Sequence, residues 1–331
     1  MNSPSLPSWS FWLMGLGLAG FVLLFLQMIR RNKGIRRSFY AWPYTLWMII
    51  STIVPLILIG YYALTDKSGQ FTLENFANFW DSNRGMKNEL IAQGFDPQAL
   101  GMGARGMVNV DTLVYSLWMA FLCTGISFLV GYPAALIMAD REFKLGATIV
   151  VLFIIPMWMN FLLRTIAWMS LLEDNGLINT VLQSLGFGKA KLMYNSQAVL
   201  LGMVYNYLPY MILPLYTIMV KIDDSLIEAA QDLGAGRVHT LTKVLLPLSV
   251  PGITTGITMV FVPSISTFII SRMLGGGSNL LIGDLIELQF LGNSYNYNLG
   301  SAMSLVLMVV VLLCMSFTNQ LDNENKEGGV V

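Results

Sequence analysis

The residues most capable of work lie between 228 and 247: Glu228-Ala229-Ala230, three residues, Gly234, nine residues, Val244, one residue, Leu246-Pro247. The chemistry of this polar stretch, set between two long hydrophobic runs, is mechanical. Ser225 followed three residues later by Glu228 is a capping-box pattern and predicts a helix starting near Ser225. Ile222, Leu226, Ala230 and Leu233 recur at helical spacing and give that helix one apolar face. Gly234 can take the positive φ that ends a helix. A second short helix, Arg237 to Leu246, is predicted to run until Pro247, and Pro251-Gly252 lead into the next hydrophobic run. Two short helices at an angle make a rigid elbow along a membrane surface, and such an amphipathic piece suits insertion into a groove on another protein. Small Ala229 and Ala230 permit close approach. Taken singly, Glu228 can be a mere helix cap, Gly234 a terminator and His239 an interfacial residue, so the reading rests on the whole pattern.

No catalytic constellation accompanies it. The chain has no Gly-x-x-x-x-Gly-Lys-Ser/Thr phosphate loop, so it is not expected to bind ATP in that manner. One histidine and two cysteines inside apolar runs, Cys123 and Cys314, leave no plausible zinc set. The cysteines read as small residues facing lipid or another helix, not as a disulfide. Gly275-Gly276-Gly277 reads as a flexible external turn. Neither a cofactor, a metal nor an enzymatic activity is expected, and zero net charge gives no sign of nucleic acid.

The elements that position the elbow follow from composition. Of 331 residues, 55% are hydrophobic and 11% charged, against about 25% charged in soluble domains. So few charges cannot cover a solvated surface, so most of the exterior faces lipid. The apolar runs are span-length, which favours helices over a barrel. Seven spans are predicted, at about 11–29, 42–64, 111–139, 147–172, 197–220, 251–273 and 298–317. The first has no basic residue before it and Arg30, Arg31, Lys33, Arg36 and Arg37 after it. It therefore reads as an anchor with its N-terminus outside, not as a cleavable signal. Alternation then places 30–41, 140–146, 221–250 and the C-terminal tail in the cytoplasm. Eleven Lys and Arg residues fall inside and six outside, which agrees with the positive-inside rule and puts the elbow on the side where ATP is. The expected organisation is a membrane anchor and basic linker at 1–38, a six-span domain at 39–320 with its elbow at 221–250, and a polar tail at 321–331. Loop 65–110 is polar and reads as either a small external cap or a flexible segment.

The pattern of residues 228–247 resembles the EAA loop of permease subunits of binding-protein-dependent ABC importers, with Val244 replacing the usual Ile. Further resemblance, over about residues 39–317, is to the spermidine/putrescine permease subunits. It is carried by Ala41-Trp42-Pro43-Tyr44, by Asn160-Phe161-Leu162-Leu163-Arg164-Thr165-Ile166-Ala167-Trp168, by Leu274-Gly275-Gly276-Gly277 and by Leu281-Ile282-Gly283-Asp284-Leu285-Ile286-Glu287. Those subunits usually have six spans, so the run 11–29 departs from them. The resemblance implies an all-α, polytopic membrane protein of the type I importer permease fold with an extra N-terminal span. It also implies a partnership with two copies of an ATP-binding subunit, a second permease subunit, an extracytoplasmic polyamine-binding protein and membrane lipid. ATP-driven closure would act through Glu228, Ala229, Ala230, Gly234, Leu246 and Pro247, with Glu228 meeting a basic residue of the ATPase.

A polyamine carries several ammonium groups, and its path must offer carboxylates, carbonyls, hydroxyls or π faces. The candidates are Asp284, Glu287, Glu173, Asp174 and Asp111, with Trp158, Trp168, Tyr205, Tyr207 and Tyr210 as aromatic faces. Asp284 and Glu287, three residues apart, share a helical face and are the preferred cation-attracting pair. Asp174-Asn175-Gly176 is equally a good turn. Arg164, inside an apolar run, is expected to be structural, with Glu173 or Asp174 as its counter-ion. Pro209, Pro214 and Pro263 are expected to kink their spans. Other readings are the same importer class with another small solute (a thiamine-like cation, a phosphonate or an anion), or an ATPase-independent channel or membrane enzyme.

Overall fold

The structure, a computed structural model, describes residues 42–82, 108–277, 279–292 and 296–328. The expected span 11–29, the whole 1–38 segment and most of loop 65–110 lie outside the described residues. The chain divides into two units, Met1–Leu58 and Ile59–Val331. In the first, the described residues from Trp42 to Leu58 are helical and mostly exposed apolar side chains. They begin α1 (Trp42–Ala63), which ends in the second unit.

The second unit continues with α2 (Glu74–Trp80), α3 (Val108–Ala139), α4 (Gly146–Ile154), a 3-10 turn (Ile155–Trp158), α5 (Phe161–Leu172), α6 (Leu177–Ser184) and α7 (Ser196–Met219). After it come α8 (Asp224–Asp232), α9 (Arg237–Thr240), a π-helical turn (Leu241–Leu245), α10 (Leu246–Leu248), α11 (Val250–Ser266), α12 (Ile269–Gly275), α13 (Ile282–Leu291) and α14 (Tyr297–Gly328). Among the described residues there is no strand beyond a bridge between Thr65 and Phe71. Four helices are long and apolar enough to cross a membrane, and six spans result if each of two bent pairs counts as one.

Two expected spans are broken. The 147–172 run is α4 and its 3-10 turn followed by α5, with a 99° bend between the two halves. Pro156 stands in the first positions of the 3-10 turn, and Asn160, whose Oδ1 accepts from Leu162 N–H at 2.8 Å, starts a new helix. The 251–273 run stops at Ser266, where Thr267 is extended, and resumes as α12. Pro209 and Pro214 leave α7 continuous in helical assignment.

Helices α3, α7 and α11 pack together as the core. Their contact turns on Met211 of α7, which is fully buried. A Cβ added at Gly256 of α11 would lie 2.7 Å from Met211 Sδ, and one at Gly131 of α3 would lie 3.1 Å from Met211 Cγ. Absent side chains on two helices thus make the seat for one on the third, the packing that serves where lipid supplies no hydrophobic drive. A second cluster (Phe79, Leu113, Ala120, Ile265, Ile282, Met303) joins α2 and α13 to α14. Cys123 is buried in the core and Cys314 is half-buried, both as free thiols.

The start of the 65–110 loop is an ordered turn. Asp66 Oδ1 accepts from Ser68 N–H, Gln70 N–H and the Ser68 hydroxyl at 2.7–2.9 Å. The Ser68 hydroxyl and then these N–H groups hold its carboxyl below the usual range. Asn298 Nδ2 of α14 donates to the carbonyls of Tyr62 and Thr65 at 3.0 and 2.6 Å, satisfying end carbonyls a helix leaves orphaned.

Filling the Met211 seat is expected to be costly. Gly256→Leu should lower stability by about 1–3 kcal/mol, read as a fall in thermal midpoint in detergent. Gly125→Leu, where an added Cβ meets nothing within 4 Å, should leave the midpoint unchanged.

Candidate functional site

The elbow is present at residues 221–250, with its first helix capped differently from expectation. Asp223, not Ser225, is the N-cap of α8, and its carboxylate accepts from Ser225 N–H at 3.1 Å. Hydrogen bonds from Ser225 hold that carboxyl below the usual range, so the cap is charged at neutral pH and complements the helix dipole. An Asp two residues earlier outcompetes the Ser because its charged oxygen is the better acceptor. Gly234 ends α8 at φ +84°. Gly234 N–H donates to Gln231 O at 2.8 Å and Ala235 N–H to Ala230 O at 3.0 Å, a Schellman closure.

The two faces of α8 differ. Asp224, Ile227, Glu228 and Gln231 line a 480 Å³ cavity shared with Asp140, Arg141 and Glu142 of the neighbouring turn. Arg141 Nε lies 2.9 Å from Asp224 Oδ2. On the opposite face Leu226, Ala229 and Leu233 are exposed, Leu233 to 89%. The apolar stripe expected from the sequence is therefore divided, because Ile222 turns into the cavity while Leu226 and Leu233 point away. The second helix runs two residues beyond the expected end at Leu246. Pro247 lies inside α10, and the π turn ahead of it widens the ladder where the proline lacks a donor. The turn away, 68° into α11, comes at Ser249. This fully buried hydroxyl lies 3.1 Å from Tyr132 Oη of α3 and donates to Leu246 O at 3.0 Å.

Near the other end of α7, where Tyr194 N–H donates to Leu274 O, the structure brings Asp284 and Glu287 together around Arg272. The Arg272 guanidinium donates twice to the Glu287 carboxylate, and its Nε lies 3.9 Å from Asp284 Oδ1. Asp284 is fully buried; its Oδ2 accepts from Ser271 Oγ at 2.5 Å and from Leu281 N–H at 2.8 Å. It is thus also the first-turn acid that caps α13. The expected acidic pair is real in spacing but carries a cation of its own, a partner that sequence distance (Arg272 lies 12 residues upstream) concealed. Glu287 borders a 410 Å³ groove with Phe268, Ser266 and Ser304.

Other candidates lie apart from it. Glu173 and Asp174 line a separate 260 Å³ cavity with Asn175, Lys191 and Tyr194. Trp158 is 86% exposed beside the break in its span. Trp168 meets Tyr205 edge-on, with centroids 5.0 Å apart. Tyr207 is buried and its hydroxyl donates to Pro263 O at 3.4 Å. Tyr210 lies 6.4 Å from it, and Asp111 is exposed in the first turn of α3. Arg164 departs from expectation. It is 8% exposed, neither Glu173 nor Asp174 reaches it, and its guanidinium sits 5.9 Å from the Phe161 ring centroid. Among the described residues its Nε has no hydrogen-bond partner.

A bundle of span-length apolar helices with an exposed two-helix elbow defines a polytopic helical membrane protein. Residues 131–323 match the family of binding-protein-dependent transport system inner membrane components, and the chain belongs to that family. It is 32% identical over 277 residues to the spermidine/putrescine transport system permease protein PotB of Escherichia coli (strain K12), covering 81% of this chain and 91% of that protein. The corresponding protein of Haemophilus influenzae is 32% identical over 292 residues, covering 85% and 93%. Among solved structures, a bacterial ABC transporter involved in the import of the acidic polysaccharide alginate superimposes with a TM-score of 0.64 at 16% identity, over 86% of this chain and 94% of that one. At that identity the likeness is one of fold.

Asp284→Ala should lower stability by about 2 kcal/mol, because it strands a buried hydroxyl and N–H. Asp284→Asn, which keeps an acceptor for both, should cost less in the same thermal melt.

Proposed function

We propose that this chain is one permease half of an ATP-driven polyamine importer, powered through the cytoplasmic elbow by a separate ATP-binding subunit. The observation that carries this reading is the 32% identity, over 81% of the chain, to permease proteins of spermidine/putrescine transport systems. The full assembly would hold two ATP-binding subunits, a second permease subunit and an extracytoplasmic polyamine-binding protein. The N-terminus lies outside and the C-terminus in the cytoplasm, with residues 1–38 as an added anchor and basic linker before the transport domain.

In this reading α8 docks through Leu226, Ala229 and Leu233 into a cleft of the ATPase, and small Ala229 sets how closely the two backbones approach. Glu228 and Asp224 face the turn at 140–142, so Glu228 stands at the edge between this chain and a basic residue of the ATPase. Gly234 fixes the angle between α8 and α9. Leu246 and Pro247 pass movement to the hinge at Ser249 and so into the spans.

The substrate path runs past acids and aromatic rings. Glu173 and Asp174 concentrate polyamine at an outer cavity, Trp158, Trp168 and Tyr207 offer π faces, and Glu287 with Asp284 attracts ammonium groups in competition with Arg272. A mostly apolar groove with a carboxylate beside Phe268 and the hydroxyls of Ser266 and Ser304 suits methylene segments punctuated by charge.

Two measurements test the proposal. In a pull-down of co-expressed subunits, Glu228→Arg with Gly234→Leu should lower ATPase retention at least ~10-fold, since a bulky side chain at a positive φ and a reversed charge both oppose docking. Retention equal to wild type would remove the elbow from its role. In uptake of labelled spermidine at matched membrane abundance, Asp284→Asn with Glu287→Gln should raise KM. Kinetics equal to wild type would take that pair off the path, and absence of spermidine-stimulated ATP hydrolysis in the wild-type complex would overturn the cargo.

A further inference from the structure

Among the described residues no carboxylate pairs with Arg164. The residue is 8% exposed, with its Nε fully buried, and it forms one wall of a 270 Å³ cavity otherwise lined by Ile149, Leu152, Phe153, Pro156, Tyr205, Leu208 and Pro209. Among the described residues it forms no ion pair, its Nε has no hydrogen-bond partner, and its guanidinium lies 5.9 Å from the Phe161 ring centroid. A guanidinium kept out of water without a counter-ion is strongly disfavoured, and inside a membrane such groups pair.

The backbone beside it sets a second, independent requirement. At Met159 and Asn160, between the 3-10 turn and α5, the span breaks with extended backbone, and both residues are exposed. Irregular backbone at membrane depth is tolerated where protein or water covers it, not where lipid does. Trp158, Met159, Leu162 and Leu163 surround the break as exposed apolar side chains. That composition calls for a protein cover.

A second copy of this chain does not supply the missing charge. Within the six described spans acids stand only away from the Arg164 cavity: Asp111 in the first turn of α3, and Glu173 and Asp174 just past the end of α5, where they line a separate cavity. Asp284 is fully buried and Glu287 is held by Arg272. Glu89 and Asp96 lie outside the described residues and belong by sequence to the polar 65–110 loop, while Asp322, Glu324 and Glu327 stand beyond the apolar part of α14, which ends at Thr318. We infer that Arg164 is the receptor for a membrane-embedded carboxylate on a different polypeptide, the companion permease, which covers the broken span and seats that carboxylate in the Arg164 cavity. The inference rests on the importer reading above. It makes the pairing heterologous, with a cation on this chain and an anion on its companion.

The test uses the full complex, with this chain co-expressed with the companion permease and the ATP-binding subunit. Arg164→Leu should cut companion retention at least ~5-fold, as expected when one partner of a desolvated ion pair is lost, and Arg164→Lys should cut it less than ~2-fold. The isolated chain should melt at the same or a higher temperature as Arg164→Leu than as wild type, because an uncompensated buried charge has been removed. Arg164→Cys should cross-link to cysteine at one embedded Asp or Glu position of the companion. Undiminished retention of the leucine variant would overturn the pairing, as would a lower melting temperature of that variant alone, which would place the counter-ion within this chain. Failure of the wild-type chain to retain any companion would remove the importer reading together with this one.

Discussion

Everything in this protein hangs on the close approach of three helices around one methionine side chain. In lipid an apolar surface gains little by meeting another apolar surface, so helices hold together by fit. Met211 of α7 fits because Gly131 of α3 and Gly256 of α11 leave room for it. With α7 fixed on two sides, both of its ends are fixed as well. One end leads into the elbow at 221–250, and the other abuts α12 and the Arg272 cluster.

Charge is managed differently at those two ends. At the elbow it stays near water: Asp223 caps α8, and Arg141 meets Asp224 in a partly exposed pair worth little in stability. At the α12–α13 end charge is drawn inward and paired, although Asp284 Oδ1 has no hydrogen-bond partner among the described residues. One oxygen of Asp284 accepts a hydroxyl and a backbone N–H, and Arg272 lies beside its other oxygen while binding Glu287. The same acids thus hold the start of α13 in place and border a groove. Arg164 belongs to neither regime: among the described residues no carboxylate meets it.

Much of the bundle was legible in the sequence. Long apolar runs located α1, α3, α7 and α14 closely, since span length is imposed by the bilayer. Gly234 was readable as a helix terminator because few residues tolerate its φ. The two broken spans were not legible, because their composition is as apolar as that of an unbroken helix; Asn160, a good cap within the run, was the signal available. Of the site, the elbow's position was legible but its capping residue and the orientation of its apolar residues were not. Asp223 and Ser225 are both good caps, and only the fold shows which residues the turn at 140–142 covers. Arg272 as the partner of Glu287 was invisible, since the two meet through the packing of α12 against α13, not through spacing along one helix.

The buried hydroxyl of Ser249 sits where the elbow turns into α11, and Tyr132 reaches it from α3. The joint is therefore tied to two beams. A tilt of the elbow cannot swing α11 alone without breaking a contact shielded from water, so displacement there is shared between α3 and α11. With Met211 clasped between those same helices, the three would travel as one block, and the give in the structure would fall elsewhere, at the extended residues beside Met159 and Thr267.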